Sequence, residues 1–335
     1  MTSSPQRAIG SSAALAKALE QASALASINR PILVLGERGT GKELIAERLH
    51  FLSPRWDQAF VSLNCATISE DLMESELFGH EPGAFTGAQK IHHGRFERAD
   101  GGSLFLDELG AMSTRLQEKL LRVIEYGEFE RLGGHKTLKV DVRLIAATNA
   151  DLKSMAAKGE FRADLLDRLA FDVIPTPPLR ERKEDIAELA DYFAMRMSIE
   201  LRWTSFAGFS DSAMNELQHY SWPGNIRELK NCIERSVFRQ GETDEPIEQI
   251  IIDPFPKHTE SQSNETEKAP VVTKKIEPVM EQTNSQIDFK QHINQLEKAL
   301  LIQALEQNQQ SQKQAAKALN LSYDQIRGLM KKHLK

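Results

Sequence analysis

The sequence lacks the features that mark secreted, metal-bound and membrane-spanning chains. It has only two cysteines, Cys65 and Cys232, without metal-ligand spacing. That excludes a disulfide framework and predicts two reduced, buried thiols in a reducing compartment. No apolar run approaches the ~20 residues needed to cross a bilayer. The N-terminus has no basic stretch followed by an apolar one, so no secretory signal is expected and the cytoplasm is the expected location. Nor is there a general excess of positive charge. The net charge is -6, so the chain as a whole gives no sign of a nucleic-acid partner.

What is present is ordinary for a globular protein, with 40% hydrophobic and 27% charged residues. A chain of this length has room for about two or three domains at ~150 residues each. The charge is unevenly spread. From Ser311 to Lys335, six basic residues (Lys313, Lys317, Arg327, Lys331, Lys332 and Lys335) face one acid, Asp324. A local basic segment of this kind is a candidate DNA contact.

Five short apolar runs read as buried strands: Ile32–Leu35, Phe60–Leu63, Leu104–Leu106, Val140–Ala147 and Phe171–Ile174. Helical patterns such as Lys42–Leu52 and Thr114–Tyr126 separate them, which predicts a parallel sheet covered by helices. After Pro178 the strands stop and helices take over, with Lys183–Leu201 and Asp211–Tyr220 the clearest. The expected division is an α/β nucleotide-binding part (1–178), a helical lid (179–255), a flexible linker (256–286) and an all-α domain (287–335). The linker is expected because Pro256–Gln286 is rich in Ser, Thr, Glu, Lys and Pro. Beyond it, Asp288 can cap a helix carrying Phe289, Ile293, Leu296, Leu300 and Ala304 on one stripe.

The strongest local signal is Gly36-Glu37-Arg38-Gly39-Thr40-Gly41-Lys42-Glu43, between the first strand and a helix. Glycines let the backbone turn tightly, so that its N–H groups and the helix N-terminus face phosphate, and Lys42 adds positive charge. Glu43 stands where a Ser or Thr normally touches magnesium, so the metal must lean on another carboxylate or on water. Leu104–Leu106 runs into Asp107 and Glu108, 65 residues after Lys42. Acids at the C-terminal end of a parallel strand lie where such sheets bind ligands. Asp107 is expected to hold magnesium through water, and Glu108 to orient and polarise the attacking water.

On these residues the chain resembles the AAA+ bacterial enhancer-binding proteins that activate sigma-54 RNA polymerase, over roughly Ile9 to Phe255 plus the C-terminal helices. The most specific element is Gly83-Ala84-Phe85-Thr86-Gly87-Ala88, preceded by Glu76-Leu77-Phe78-Gly79-His80. The resemblance implies that this hexapeptide tips a loop touching sigma-54. A lone aromatic between glycines also suits contact with a partner. Further roles implied by the resemblance fall on Asn64, a switch residue pairing with Glu108, and on Asn149, a first sensor after Ala147-Thr148. Arg162 and Arg168 would be arginine fingers, about 120° apart on one helix. Arg227, in Trp222-Pro223-Gly224-Asn225-Ile226-Arg227, would be a second sensor in the lid. ATP and Mg2+ are the implied cofactors, and the implied assembly is a homo-hexamer with sites shared between subunits.

The tail fits a Fis-like helix-turn-helix with Asn320 at the turn and Ala316 at the helix crossing. Ala315, Leu319, Leu321, Ile326 and Leu329 fall on core positions. Ser322 would cap the second helix, leaving Tyr323, Asp324 and Arg327 for bases and Lys331 for phosphates of an upstream enhancer. Only 35 residues precede Gly36, too few for a separate sensory domain. This makes the chain most similar to the family members that activate phage-shock operons, and it implies restraint by a partner of the phage shock protein A kind. Trp56, in the polar turn Leu52–Gln58, is the candidate contact. Two other readings stay in view. One is a DNA-binding repressor with a vestigial ATPase core, opposed by intact Lys42, Asp107, Glu108 and Arg168. The other is an AAA+ replication loader, which would lack the Phe85 hexapeptide.

Overall fold

Strands buried along nearly their whole length at the centre of a sheet build the first layer of the protein. The computed structural model describes residues 8–254, 298, 301–302, 304–305, 312–319, 321 and 323–333. Strands β1 (Ile32–Leu35), β2 (Phe60–Asn64), β3 (Ser103–Asp107), β6 (Arg143–Thr148) and β7 (Val173–Pro175) form one parallel sheet in the order β2-β3-β6-β1-β7. Ile32, Val34, Phe105, Ile145, Ala147 and Ile174 point to one face, where α1 (Ala13–Ala26) and α2 (Lys42–Phe51) cover them. Leu33, Leu104, Leu106, Leu144 and Ala146 point to the other, against α3 (Glu70–Phe78), α4 (Arg95–Arg98), α5 (Thr114–Tyr126), α6 (Leu152–Ala157) and α7 (Ala163–Leu169). A sheet covered on both faces needs such uninterrupted apolar strands.

The expected strands and helices agree with those found to within a few residues. Helix α5 shows why: the Ser113 hydroxyl accepts from Leu116 N–H, Gly127 ends the helix at φ 67°, and Leu116, Leu120 and Val123 form its buried stripe. A hairpin of β4 (Glu128–Glu130) and β5 (Thr137–Lys139) was not expected, since three-residue strands carry too little periodicity to read.

The lid is a second core around the fully buried Trp222, whose indole donates to the Leu217 carbonyl at 2.7 Å. It is built from α8 (Asp185–Glu200), α9 (Asp211–His219) and α10 (Asn225–Gln240). The chain divides into two units, Met1–His258 and Thr259–Lys335. In the second, helices Gln312–Ala318 and Tyr323–His333 close over Leu301, Ala304, Leu305, Ala315, Ala316 and Ile326. The expected linker, the helix start at Asp288, Asn320 and Ser322 lie outside the described residues.

Candidate functional site

The glycine-rich loop, the acid pair Asp107 and Glu108, and Asn149 follow β1, β3 and β6, which are neighbours in the sheet. All three strands end on the same edge. Lys42 opens α2 and is buried, its ammonium donating to the carbonyls of Gly36 (3.1 Å) and Glu37 (3.2 Å). Its Nζ also lies 3.8 Å from Glu108 Oε1, and Arg38 Nε is 3.9 Å from the same oxygen. Among the described residues, nothing accepts from the backbone N–H groups of Gly39, Thr40, Gly41 or Lys42. Free amides at a helix N-terminus beside a lysine form a cradle for phosphate oxygens.

Glu108 is one of four non-glycine residues at positive φ (53°) among the described residues. Backbones held there cost of order 1–3 kcal/mol and cluster at functional sites. The turn swings the carboxylate toward Lys42. Asp107 is organised separately: Oδ1 accepts the Glu108 N–H at 2.9 Å, and Oδ2 accepts Asn64 Nδ2 at 3.0 Å. This corrects the expected pairing of Asn64 with Glu108. Asn64 and Asp107 are register partners on adjacent strands, so their side chains share a face, whereas Glu108 has turned away.

Beside them, burial and then the charges of Asp107 and Glu108 push the Cys65 thiol up to about 12, which favours its neutral form. Both cysteines are free and buried, as expected. Glu43 is exposed on the first turn of α2. The hydroxyl of Thr40 is turned inward, donating to the Glu37 carbonyl (2.9 Å) and meeting Thr176 Oγ1 (2.9 Å). Thr40 therefore offers the cradle its backbone alone. Asn149 is exposed just beyond β6.

The lid closes on the loop through Asn225 and Ile226 of the second-sensor motif and through Arg182, which no motif had singled out. Asn225 Nδ2 donates to Glu37 Oε2 (3.1 Å) and to the Arg38 carbonyl (3.0 Å), and the Ile226 N–H donates to the Gly39 carbonyl (2.9 Å). Only glycine fits at position 39: its φ is +77°, and a Cβ would stand 2.4 Å from the Gly224 carbonyl. Arg227 Cβ packs on the same spot, with its side chain exposed. Buried Arg182 donates to the Thr40 carbonyl at 2.9 Å. Beside the loop is a mostly apolar cavity, lined by Ile9, Leu19, Leu44, Tyr192, Phe193 and Ile226 among others.

Arg162 and Arg168 do not share one helix as expected. Arg162 is the extended N-cap of α7 (ψ 125°), because it is held outside by Asp164 at 2.7 Å and by its own N–H to Gln117. Arg168 lies within α7, exposed, with Nε 3.0 Å from Glu125 Oε1.

The Phe85 hexapeptide is a loop closed at its neck by the Gly83 N–H on the Ala88 carbonyl (2.7 Å). Phe85 is 46% exposed and rests edge-on against His80, ring centroids 4.9 Å apart. Ala88 is buried. Trp56 is 62% exposed in its turn, while neighbouring Arg55 is pinned to Asp141 at 2.7 Å. In the second unit, Ala315, Ala316 and Ile326 are buried, and Arg327 and Lys331 are exposed on one helix. The side chains of Tyr323 and Asp324 lie outside the described ones. Among the described residues, no helix is long and apolar enough to cross a membrane.

Comparison with known proteins agrees with this geometry. Residues 8–174 match the sigma-54 interaction domain, 180–271 the AAA+ ATPase lid domain, and 293–333 the Fis family of bacterial regulatory proteins. The chain is 54% identical over 328 residues to the Psp operon transcriptional activator of Escherichia coli (strain K12), covering 97% of each. It is 52% identical over 228 residues to the Nif-specific regulatory protein of Azotobacter vinelandii, covering 68% of this chain and 43% of that one. The crystal structure of NtrX from Brucella abortus in complex with ATP is similar with a TM-score of 0.68 at 30% identity, covering 98% of this chain and 69% of that one. The chain therefore belongs to the sigma-54 transcriptional activators, with an AAA+ core and lid and a Fis-type DNA-binding domain.

Proposed function

We propose that this activator hydrolyses ATP and uses the energy to remodel the closed complex of sigma-54 polymerase at promoters of a phage-shock operon. The observation that carries it is the meeting of Lys42 and Glu108, 3.8 Å apart beneath four free backbone amides. The amides and Lys42 bind the phosphates. The apolar cavity receives the base. Glu108 takes the proton of the attacking water, and Asp107 and Asn64 keep the edge of the sheet in place around it. Asp107 fits magnesium as a single hard carboxylate, since that ion keeps several of its waters. Bound there, the metal supplies charge neutralisation at the phosphate oxygens. The exposed arginines Arg162 and Arg168 serve a neighbouring subunit of a hexamer, because exposed guanidinium groups can leave local partners cheaply.

The Phe85 loop carries the work to sigma-54. Arg327 reads a base and Lys331 a phosphate of the upstream enhancer. Exposed Trp56 is the contact for an inhibitory partner of the phage shock protein A kind. The chemistry throughout is that of a cytoplasmic regulator. Run-off transcription from a sigma-54 promoter, with ATP and with a non-hydrolysable analogue, is the test. Equal transcript in both, or none with ATP, rejects the proposal.

A further inference from the structure

The cavity beside the phosphate loop has a wall for which the sequence carries no motif. One side is the segment Ala8–Ser12 with the start of α1, which together contribute Ala8, Ile9, Leu15, Ala18 and Leu19. The other is the lid. Between them lies Asp185, the first residue of α8 and completely buried. A buried carboxylate is costly unless hydrogen-bonded or paired. Three of its bonds come from the segment: Oδ1 accepts the N–H groups of Ser11 and Ser12, both at 2.8 Å, and Oδ2 accepts the Ser12 hydroxyl at 2.7 Å. Gly10 approaches so closely that a Cβ there would stand 2.5 Å from the carboxylate carbon.

Two further contacts give this carboxylate its reach. The Ser12 hydroxyl also accepts from the Leu15 N–H at 3.3 Å, capping the helix that supplies the rest of the wall. Arg182 Nη1 lies 4.0 Å from Asp185 Oδ2, and the same guanidinium donates to Thr40 in the phosphate loop. We propose that Asp185 is a positioning residue of the nucleoside pocket. Through Ser11 and Ser12 it holds Ile9 and α1 against the cavity, and so sets affinity for the base half of the nucleotide. The proposal rests on the nucleotide reading above. Its physical reason is preorganisation: a segment without regular structure is poorly ordered unless tethered, and a wall ordered only on binding gives back part of what the contact gains.

The test uses the full chain and measures KM for ATP, kcat, and the inhibition constant of inorganic tripolyphosphate, which has no base. Ser12→Ala removes one donor and the cap while leaving both backbone donors. It should raise KM roughly three- to tenfold, the fold-change of one lost hydrogen bond, with kcat within about twofold. Asp185→Asn keeps the shape and should raise KM further. In both, inhibition by tripolyphosphate should be unchanged, which a general loosening of the fold would not allow. If Asp185→Asn does not fold, Ser12→Ala decides alone. An unchanged KM in Ser12→Ala overturns the proposal. So does a parallel rise in the tripolyphosphate constant, which would assign the effect to the loop through Arg182 and Thr40. A wild-type chain unable to hydrolyse ATP overturns the nucleotide reading and this one with it, whereas turnover with an unmoved KM overturns only this one.

Discussion

Asn225 and Glu37 join the lid to the phosphate loop, the amide of one donating to the carboxylate of the other at 3.1 Å. Arg180 completes the contact at 2.6 and 2.8 Å. The Arg180 hydrogen bond, and then that of Asn225, hold the Glu37 carboxyl down at about 2, from an ordinary 4.5. A depressed folded-state value means the stabilisation is fully present above about 4.5 and is lost as pH falls toward 2. Glu37→Gln should melt below wild type at neutral pH, and the gap should close across that window. Because the pair is exposed, the gap should be small. A gap independent of pH would show that the ion pair is not its source.

In the proposed function, Lys42 and Glu108 divide binding from hydrolysis. Lys42→Ala should lose nucleotide affinity, measured by ATP titration. Glu108→Gln should bind ATP but turn it over ~10²–10⁴-fold more slowly, the range expected for loss of a general base. Normal turnover in Glu108→Gln would remove it from the chemistry.

Phe85 lies outside the nucleotide residues, and half its surface is already open to solvent. Phe85→Ala should keep most ATPase activity yet fail to retain sigma-54 in a pull-down with a transition-state analogue. Undiminished retention would refute the contact.

Among the described residues, Arg168 is paired in its own chain with Glu125, at an exposed position. If it acts on the neighbouring subunit, mixing Arg168→Ala with Lys42→Ala subunits should recover part of the turnover that neither has alone. Mixed hexamers without any recovered activity would count against sharing.

Trp56 is exposed on a turn that Arg55 anchors to Asp141. Trp56→Ala should keep hydrolysis and promoter activation but escape the inhibitory partner. The measurement is ATPase rate against inhibitor concentration for both forms. Matching inhibition curves would exclude Trp56 as the contact.

Local chemistry was enough to read the phosphate loop, the acids after β3, the sheet strands and the two helices of the tail from the sequence. Each depends on spacing within a few residues: glycines where a loop must turn, an apolar run where a strand is covered on both faces, an acid at a strand end. The exposure of Trp56 and Phe85 was legible for the same reason, since turn residues flank both.

Tertiary structure decided what lies between distant segments. The pairing of Asn64 with Asp107 follows from strand register, and the approach of Glu108 to Lys42 from a left-handed backbone turn; neither is written in residue spacing. Arg162 fell outside its helix because Asp164 and Gln117 offered its side chain and backbone better partners there. The contacts of Asn225, Arg182 and Asp185 join residues 142 to 188 positions apart in the chain. Such pairs leave no periodic trace along the chain, because only the packing of the lid against the α/β core brings their donors and acceptors within reach.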